Sequence, residues 1–257
     1  MSPILVGREL HKSYGLTLAL RGASIAVNEG EIVAVMGPSG CGKSTLLHCL
    51  AGVLAPDRGE VHFNGQRVDL IPDRKRVGLR RTAFGLVYQF GQLVPELPAI
   101  ENIGLPLLLA GRPRRECLAQ AGEWLDRMGL SGLGNRLPGE LSGGQGQRIA
   151  LARALVARPR VVFADEPTGS LDSVAADQVM ELLVDTARTQ GTSVLVVTHE
   201  PRVAGFADRT VLMRDGVETV QANGAGSRPP GVESLRVGTG ATAPSADIIS
   251  WAGREAE

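Results

Sequence analysis

The sequence has little of what would send a chain out of the cell or into a bilayer. Its 257 residues include three cysteines, Cys41, Cys49 and Cys117, odd in number and far apart. That spacing argues against a disulfide framework or a zinc knuckle and makes a reducing compartment the expectation. No apolar run approaches the ~18 residues a membrane helix needs. The stretch "IGLPLLLA" at 103–110 is too short and contains Pro106. The opening "MSPILVGREL" has no basic segment leading into an apolar one, so no secretory signal is expected. An excess of one charge is missing too, with 27 Lys and Arg against 27 Asp and Glu. A protein living on nucleic-acid phosphates carries a basic surplus, so no nucleic-acid partner is expected. Any service to a membrane must run through a partner.

What is present is enough for a full core, since 43% of the residues are hydrophobic. Apolar runs at 32–36, 84–89, 160–165 and 192–199 read as strands, and helical apolar spacing fills 44–54 and much of 99–158. Asn64-Gly65 and Asp215-Gly216 read as hairpin turns. Strands alternating with helices predict an α/β protein with a mostly parallel sheet. The expected organisation is a domain over 1–221, with an inserted helical subdomain at about 90–158. Residues 222–257, rich in Gly, Ala, Ser and Pro, read as a mobile tail, with one short helical turn at "IISWAGREAE".

The chemistry begins at "GPSGCGKST", residues 37–45, between the apolar run ending at Met36 and a helical pattern. Gly37, Gly42, Lys43 and Ser44 match G-x-x-x-x-G-K-[ST]. Such a loop, here Gly37, Pro38, Ser39, Gly40, Cys41 and Gly42 with Thr45 behind it, turns its N–H groups toward phosphate oxygens at a helix's positive end. Lys43 supplies a point charge and the Ser44 hydroxyl a ligand for Mg²⁺. A second string, "VVFADE", delivers Asp165 and Glu166 at the end of a buried strand. Asp165 is placed to bind the metal, directly or through water, and Glu166 to orient the attacking water. In "LSGGQ" at 141–145, Ser142, Gly143, Gly144 and Gln145 open another helix, whose free N–H groups make a second phosphate site in the same chain.

With that string the chain resembles the ATPase subunits of ABC transporters over roughly residues 3–220. The resemblance implies an N-terminal antiparallel β subdomain beside the P-loop core. It also gives roles to single residues. Tyr14, in "KSYG", falls where an aromatic stacks on adenine. Gln89, in "VYQF", matches the glutamine that contacts metal or water and links to the membrane partner. Asp172, in "GSLD", matches the D-loop, and His199, in "VVTHE", the switch histidine near the γ-phosphate. In the family two subunits sandwich two ATP, each between one glycine loop and the other's signature, so a homodimer is implied. An integral membrane permease would hold that dimer at the cytoplasmic face of the inner membrane.

The stretch "QLVPELPAIENIGLPLLLAG", with "EPTGSLD", resembles the ATPases that drive lipoprotein release and macrolide export. Gly146 after the signature and Pro98 depart from that pattern. The sequence leaves two alternatives standing: a soluble ABC ATPase of translation or DNA repair, and a plain P-loop kinase.

Overall fold

A computed structural model describes residues 3–223. Four apolar runs become parallel strands: β3 (Ile32–Met36), β6 (Phe84–Tyr88), β7 (Val161–Asp165) and β8 (Ser193–Thr198). With β9 (Arg209–Arg214) and β10 (Val217–Asn223) they form a six-stranded sheet in the order β10-β9-β3-β8-β7-β6, in which only β9–β10 is antiparallel. The remaining strands, β1 (Pro3–Tyr14), β2 (Thr17–Asn28), β4 (Arg58–Phe63) and β5 (Gln66–Arg67), make an antiparallel sheet in the order β2-β1-β4-β5. The expected tail at 222–257 lies outside the described residues, as does its helical turn, except that Ala222 and Asn223 complete β10.

The middle of each parallel strand is an unbroken apolar run because both faces are covered. Ile32, Ala34, Val162, Ala164, Val194 and Val196 belong to one hydrophobic cluster. It is completed by α3 (Ala99–Leu109), α4 (Arg114–Arg127), α5 (Gly143–Leu155) and α6 (Ser173–Gln190). The intervening residues Val33, Val35, Val161, Phe163, Leu195 and Val197 belong to a second cluster with the antiparallel sheet and α1 (Lys43–Leu50). The scarce aromatics are concentrated where the two sheets meet. Phe63, Phe84 and Phe163 pack edge to face, with centroids 4.8 and 5.2 Å apart, and they are three of the five phenylalanines.

Local chemistry sets the helix ends. On α6, Ala176, Val179, Met180, Leu183 and Ala187 follow helical spacing and are buried. The Asp172 carboxylate accepts from the N–H groups of Val174 and Ala175 at its start, and Gly191 stops it in the left-handed region at φ 68°. On α5 the Ser142 hydroxyl accepts from the Gln145 N–H, while the Gln145 amide oxygen accepts from the Ser142 N–H, a reciprocal capping box. A short helix, α2 (Asp73–Thr82), buries no residue. Its Arg76, Arg80 and Arg81 donate to the carbonyls of Asp69, Gly52 and Leu109. The helix is tied down by its cations.

Candidate active site

Parallel register collects the chemistry at one edge of the mixed sheet. Tyr88 pairs with Asp165, Asp165 with Val197, and Met36 with Thr198. The residues just past these ends therefore stand in a row: Gln89, Glu166, His199 and Gly37. The carboxyl edge of a parallel sheet is where open α/β folds bind ligands.

The phosphate loop is shaped by backbone crowding. A Cβ on Gly37 would lie 2.2 Å from the Met213 carbonyl oxygen, and one on Gly42, whose φ is +103°, would lie 2.3 Å from that of Ala19. Only glycine fits at either position. Cys41 is buried, and its carbonyl accepts from the Gly216 N–H at 3.0 Å, which ties the loop to the β9–β10 turn. Pro38, Ser39 and Gly40 are exposed. Lys43 is only 5% exposed and its Nζ donates to the carbonyls of Gly37 and Pro38, at 2.8 and 2.9 Å. The ammonium thus sits inside the ring of the loop. Thr45 is half-buried one residue past Ser44.

Ser44 Oγ donates to Asp165 Oδ1 at 2.9 Å, which joins the loop to the end of β7. Burial pushes the Asp165 carboxyl above its usual range, and the nearby Glu166 pushes the same way; the Ser44 bond and His48 pull it down. Glu166 follows in the left-handed region at φ 46°, its N–H held by the Val197 carbonyl at 2.9 Å. His199 Nδ1 lies 3.1 Å from Glu166 Oε1. The Gln89 amide lies against Gly169, where an added Cβ would come within 2.8 Å of its Nε2 and 3.3 Å of Glu166 Oε2.

Lys43, Ser44, Gln89, Asp165, Glu166 and His199 are therefore one site. The signature residues stand elsewhere. Ser142 and Gly143 are exposed, and the hydrogen bonds of Ser142 run within its own capping box. Gly143 and Gly144 lie beside Leu171 and Ala175, on either side of Asp172. Tyr14 closes β1 opposite Thr17 and is 50% exposed, a free face at a hairpin tip.

Four residues that sequence reading passes over hold the Gln89 loop. Gln147 Nε2 donates to the Tyr88 carbonyl at 2.9 Å, and Ser170 Oγ to that of Gln89 at 3.1 Å. Arg153 donates to the carbonyls of Gly91 and Gln92 at 2.6 and 2.8 Å, both in the left-handed region. Asn102, fully buried, accepts from the Val94 N–H and donates to the carbonyls of Val94 and Leu97. A polar residue inside an apolar helical run is the one signal that could have flagged Arg153 and Asn102. His48, on α1, stands by the metal carboxylate instead: its Nε2 is 4.0 Å from Asp165 Oδ2. Beside the loop an open groove of about 380 Å³ is lined by Phe90, Leu93, Leu141, Gly146 and others.

Among the described residues no group of three His, Cys, Asp or Glu side chains could hold a metal unaided. One hydroxyl and one carboxylate nonetheless suit a hard ion such as Mg²⁺, which keeps waters and shares phosphate oxygens.

A glycine loop opening a helix, two strands from a pair of carboxylates, defines a P-loop nucleoside triphosphatase. Comparison with known proteins narrows the class. The family described as ABC transporter matches residues 20–169. The lipoprotein-releasing system ATP-binding protein LolD 1 of Rhodospirillum rubrum is 47% identical over 197 residues, which are 77% of this chain and 87% of that protein. Among solved structures, the ATP-binding cassette MJ0796, a dimer in a post-hydrolysis state bound to ADP and Pi, superposes with a TM-score of 0.80. It is 35% identical and the match covers 85% of this chain and 98% of that one. CbiO1 of Clostridium perfringens, part of the transporter complex cbiONQ, gives a TM-score of 0.77 at 30% identity, over 87% of this chain and 89% of that one. This chain belongs to the ABC transporter family. It is an ATP-binding cassette that hydrolyses ATP.

Proposed function

We propose that the chain works as a homodimer that hydrolyses two ATP to drive an integral membrane permease, in a system of the lipoprotein-release or macrolide-export type. The observation that carries this reading is the convergence of Lys43, Ser44, Asp165, Glu166 and His199 at one sheet edge. On this reading the backbone N–H groups between Ser39 and Thr45 cradle the phosphates of ATP. Lys43 leaves the carbonyls of Gly37 and Pro38 for phosphate oxygens. Ser44 and Asp165, with Gln89, hold Mg²⁺, which when bound draws charge from the phosphate oxygens. Glu166 orients the attacking water, and His199, against its carboxylate, stabilises the developing charge. Tyr14 stacks on adenine.

The signature supports a second copy. Ser142, Gly143, Gly144 and Gln145 present an exposed helix N-terminus that does not join its own phosphate loop, so its anion belongs to the opposite subunit. Leu171 and Ala175, which flank Asp172, lie beside Gly143 and Gly144. That MJ0796 is a dimer supports the same arrangement. Among the described residues no helix is long and apolar enough to cross a membrane. Attachment to the cytoplasmic face of the inner membrane therefore runs through the permease, and exposed Phe90 with the groove beside Gln89 suits that contact.

The test is Glu166→Gln. Without the positioning carboxylate, turnover is expected to fall ~10²-fold or more, with ATP affinity kept. The protein should then run as an ATP-loaded dimer on size exclusion. Near-normal phosphate release would end the assignment. Purification of the wild type from membranes should bring an integral membrane protein with it.

A further inference from the structure

The hydrogen bonds of Asp57 bear on the other end of the nucleotide. Asp57 lies on the connection that leaves α1, the helix opened by the phosphate loop, and it immediately precedes β4. Its Oδ1 accepts from Lys12 Nζ at 2.8 Å, and its Oδ2 accepts from both the Ser13 N–H and the Ser13 hydroxyl, at 2.7 and 2.8 Å. Its own N–H donates to the His11 carbonyl at 2.8 Å. One residue thus grips three consecutive residues, 11 to 13, directly before Tyr14. Its carboxyl is held down to about 2, chiefly by the bonds from Lys12 and Ser13.

The grip has an object. Tyr14 is at the open tip of the β1–β2 hairpin, where Leu16 and Leu18 are also exposed and no core packing fixes the tip. On the other strand, the Ala19 carbonyl abuts Gly42 of the phosphate loop. The hairpin is therefore registered to the phosphate site twice: through β2 by contact, and through β1 by way of α1 and Asp57. An isolated surface ion pair contributes little, but four bonds converging on one short segment restrict its orientation.

We infer that Asp57 is a positioning residue for the base of the nucleotide: it sets the place of the Tyr14 ring relative to the phosphate loop. The inference rests on the reading of Tyr14 as the adenine-stacking residue and adds what holds it. Asp57 touches no part of the nucleotide and acts by reducing the freedom the ring must lose on binding.

The consequence is a loss specific to ligands with a base. Inorganic tripolyphosphate presents the phosphates alone, so it reports the phosphate loop without Tyr14. For Asp57→Ala, the KM for ATP is expected to rise about 3- to 10-fold, a fraction of the full worth of a base–aromatic stack, with kcat within about twofold. Tripolyphosphate affinity, measured by calorimetry, should not change. Asp57→Asn keeps one acceptor oxygen for Ser13 and should fall between. Tyr14→Ala should weaken ATP at least as much, and the double variant should be no worse than Tyr14→Ala alone. Equal losses for ATP and tripolyphosphate would show a general disturbance and overturn the inference, as would additive losses or unchanged ATP affinity in Asp57→Ala. If Asp57→Ala weakens ATP selectively while Tyr14→Ala does nothing, the stacking reading of Tyr14 is what fails.

Discussion

The phosphate loop and the loop that carries Gln89 leave the same edge of one sheet, yet they are held in opposite ways. Around Gly37 and Gly42 the constraint is backbone against backbone: carbonyls of β9 and β2 stand where any side chain would begin. The loop after Tyr88 has no such walls. Side chains of α5 and of the segment before α6 reach across and take its carbonyls. A cradle made by steric exclusion has one shape. A loop held by Gln147, Arg153 and Ser170 has as many shapes as those side chains have rotamers. On the proposed function, the rigid part is the one that grips the phosphates. The adjustable part is tied to α5, the helix that begins with the signature.

The largest expected effect tests the rigid half. Gly42→Ala adds a carbon 2.3 Å from the Ala19 carbonyl, at a φ of +103°. Overpacking and left-handed backbone together should cost about 2–4 kcal/mol of unfolding free energy, read by denaturant titration, and ATP binding should be lost. A protein that still binds ATP normally would show the loop to be softer than its walls imply.

On the adjustable half, Arg153→Leu should lower turnover about tenfold while leaving ATP affinity within about twofold. It frees the Gly91 and Gln92 carbonyls at a stability cost of ~1–3 kcal/mol. Arg153→Lys should not restore turnover, because one ammonium cannot match a planar fork across two carbonyls. Burial holds the Arg153 pKa below the usual guanidinium range, so its buried charge needs the two carbonyls as acceptors. Equal losses in affinity and turnover would merge the two halves of the site.

How much could be read in advance divides along the same line. The phosphate loop was legible because steric exclusion leaves a written mark, glycine. So were the hairpins at Asn64-Gly65 and Asp215-Gly216, where all four residues take positive φ. Strands β3, β7 and β8 were legible because burial on two faces demands unbroken apolar runs. The grips of Arg153, Gln147, Asn102 and Asp57 were not. Three of the four have backbone carbonyls as main partners, and a carbonyl has no letter in the sequence. For Asp172 the letter was visible, and the structure shows its carboxylate capping α6.

Gly146 gives the smaller contrast to Gly42. It lies within α5 with open space where its Cβ would be. Gly146→Ala should therefore stabilise the protein by ~0.5–1 kcal/mol, measured by the same denaturant titration. A destabilising result would mean the helix start needs its looseness.

The smallest effect is in pH. The Asp57 carboxyl is held at about 2 against an ordinary 3.8, so its contribution to stability is present above 3.8 and fades as pH falls toward 2. The melting-temperature gap between wild type and Asp57→Asn should be visible at neutral pH, narrow below pH 3.8 and close only below about pH 2. A gap that does not narrow between about pH 4 and pH 2 would assign the effect to something other than the charge.

The alternation along β3 and β8 has a further consequence. Val35 answers to the antiparallel sheet, and its neighbour Ala34 to the helices. Each central strand is read by two independent audiences, one through its odd positions and one through its even ones. A change at one residue can retune the fit of the helical layer and leave the β layer untouched. The two layers can thus be altered one at a time, provided no strand ever slips by one.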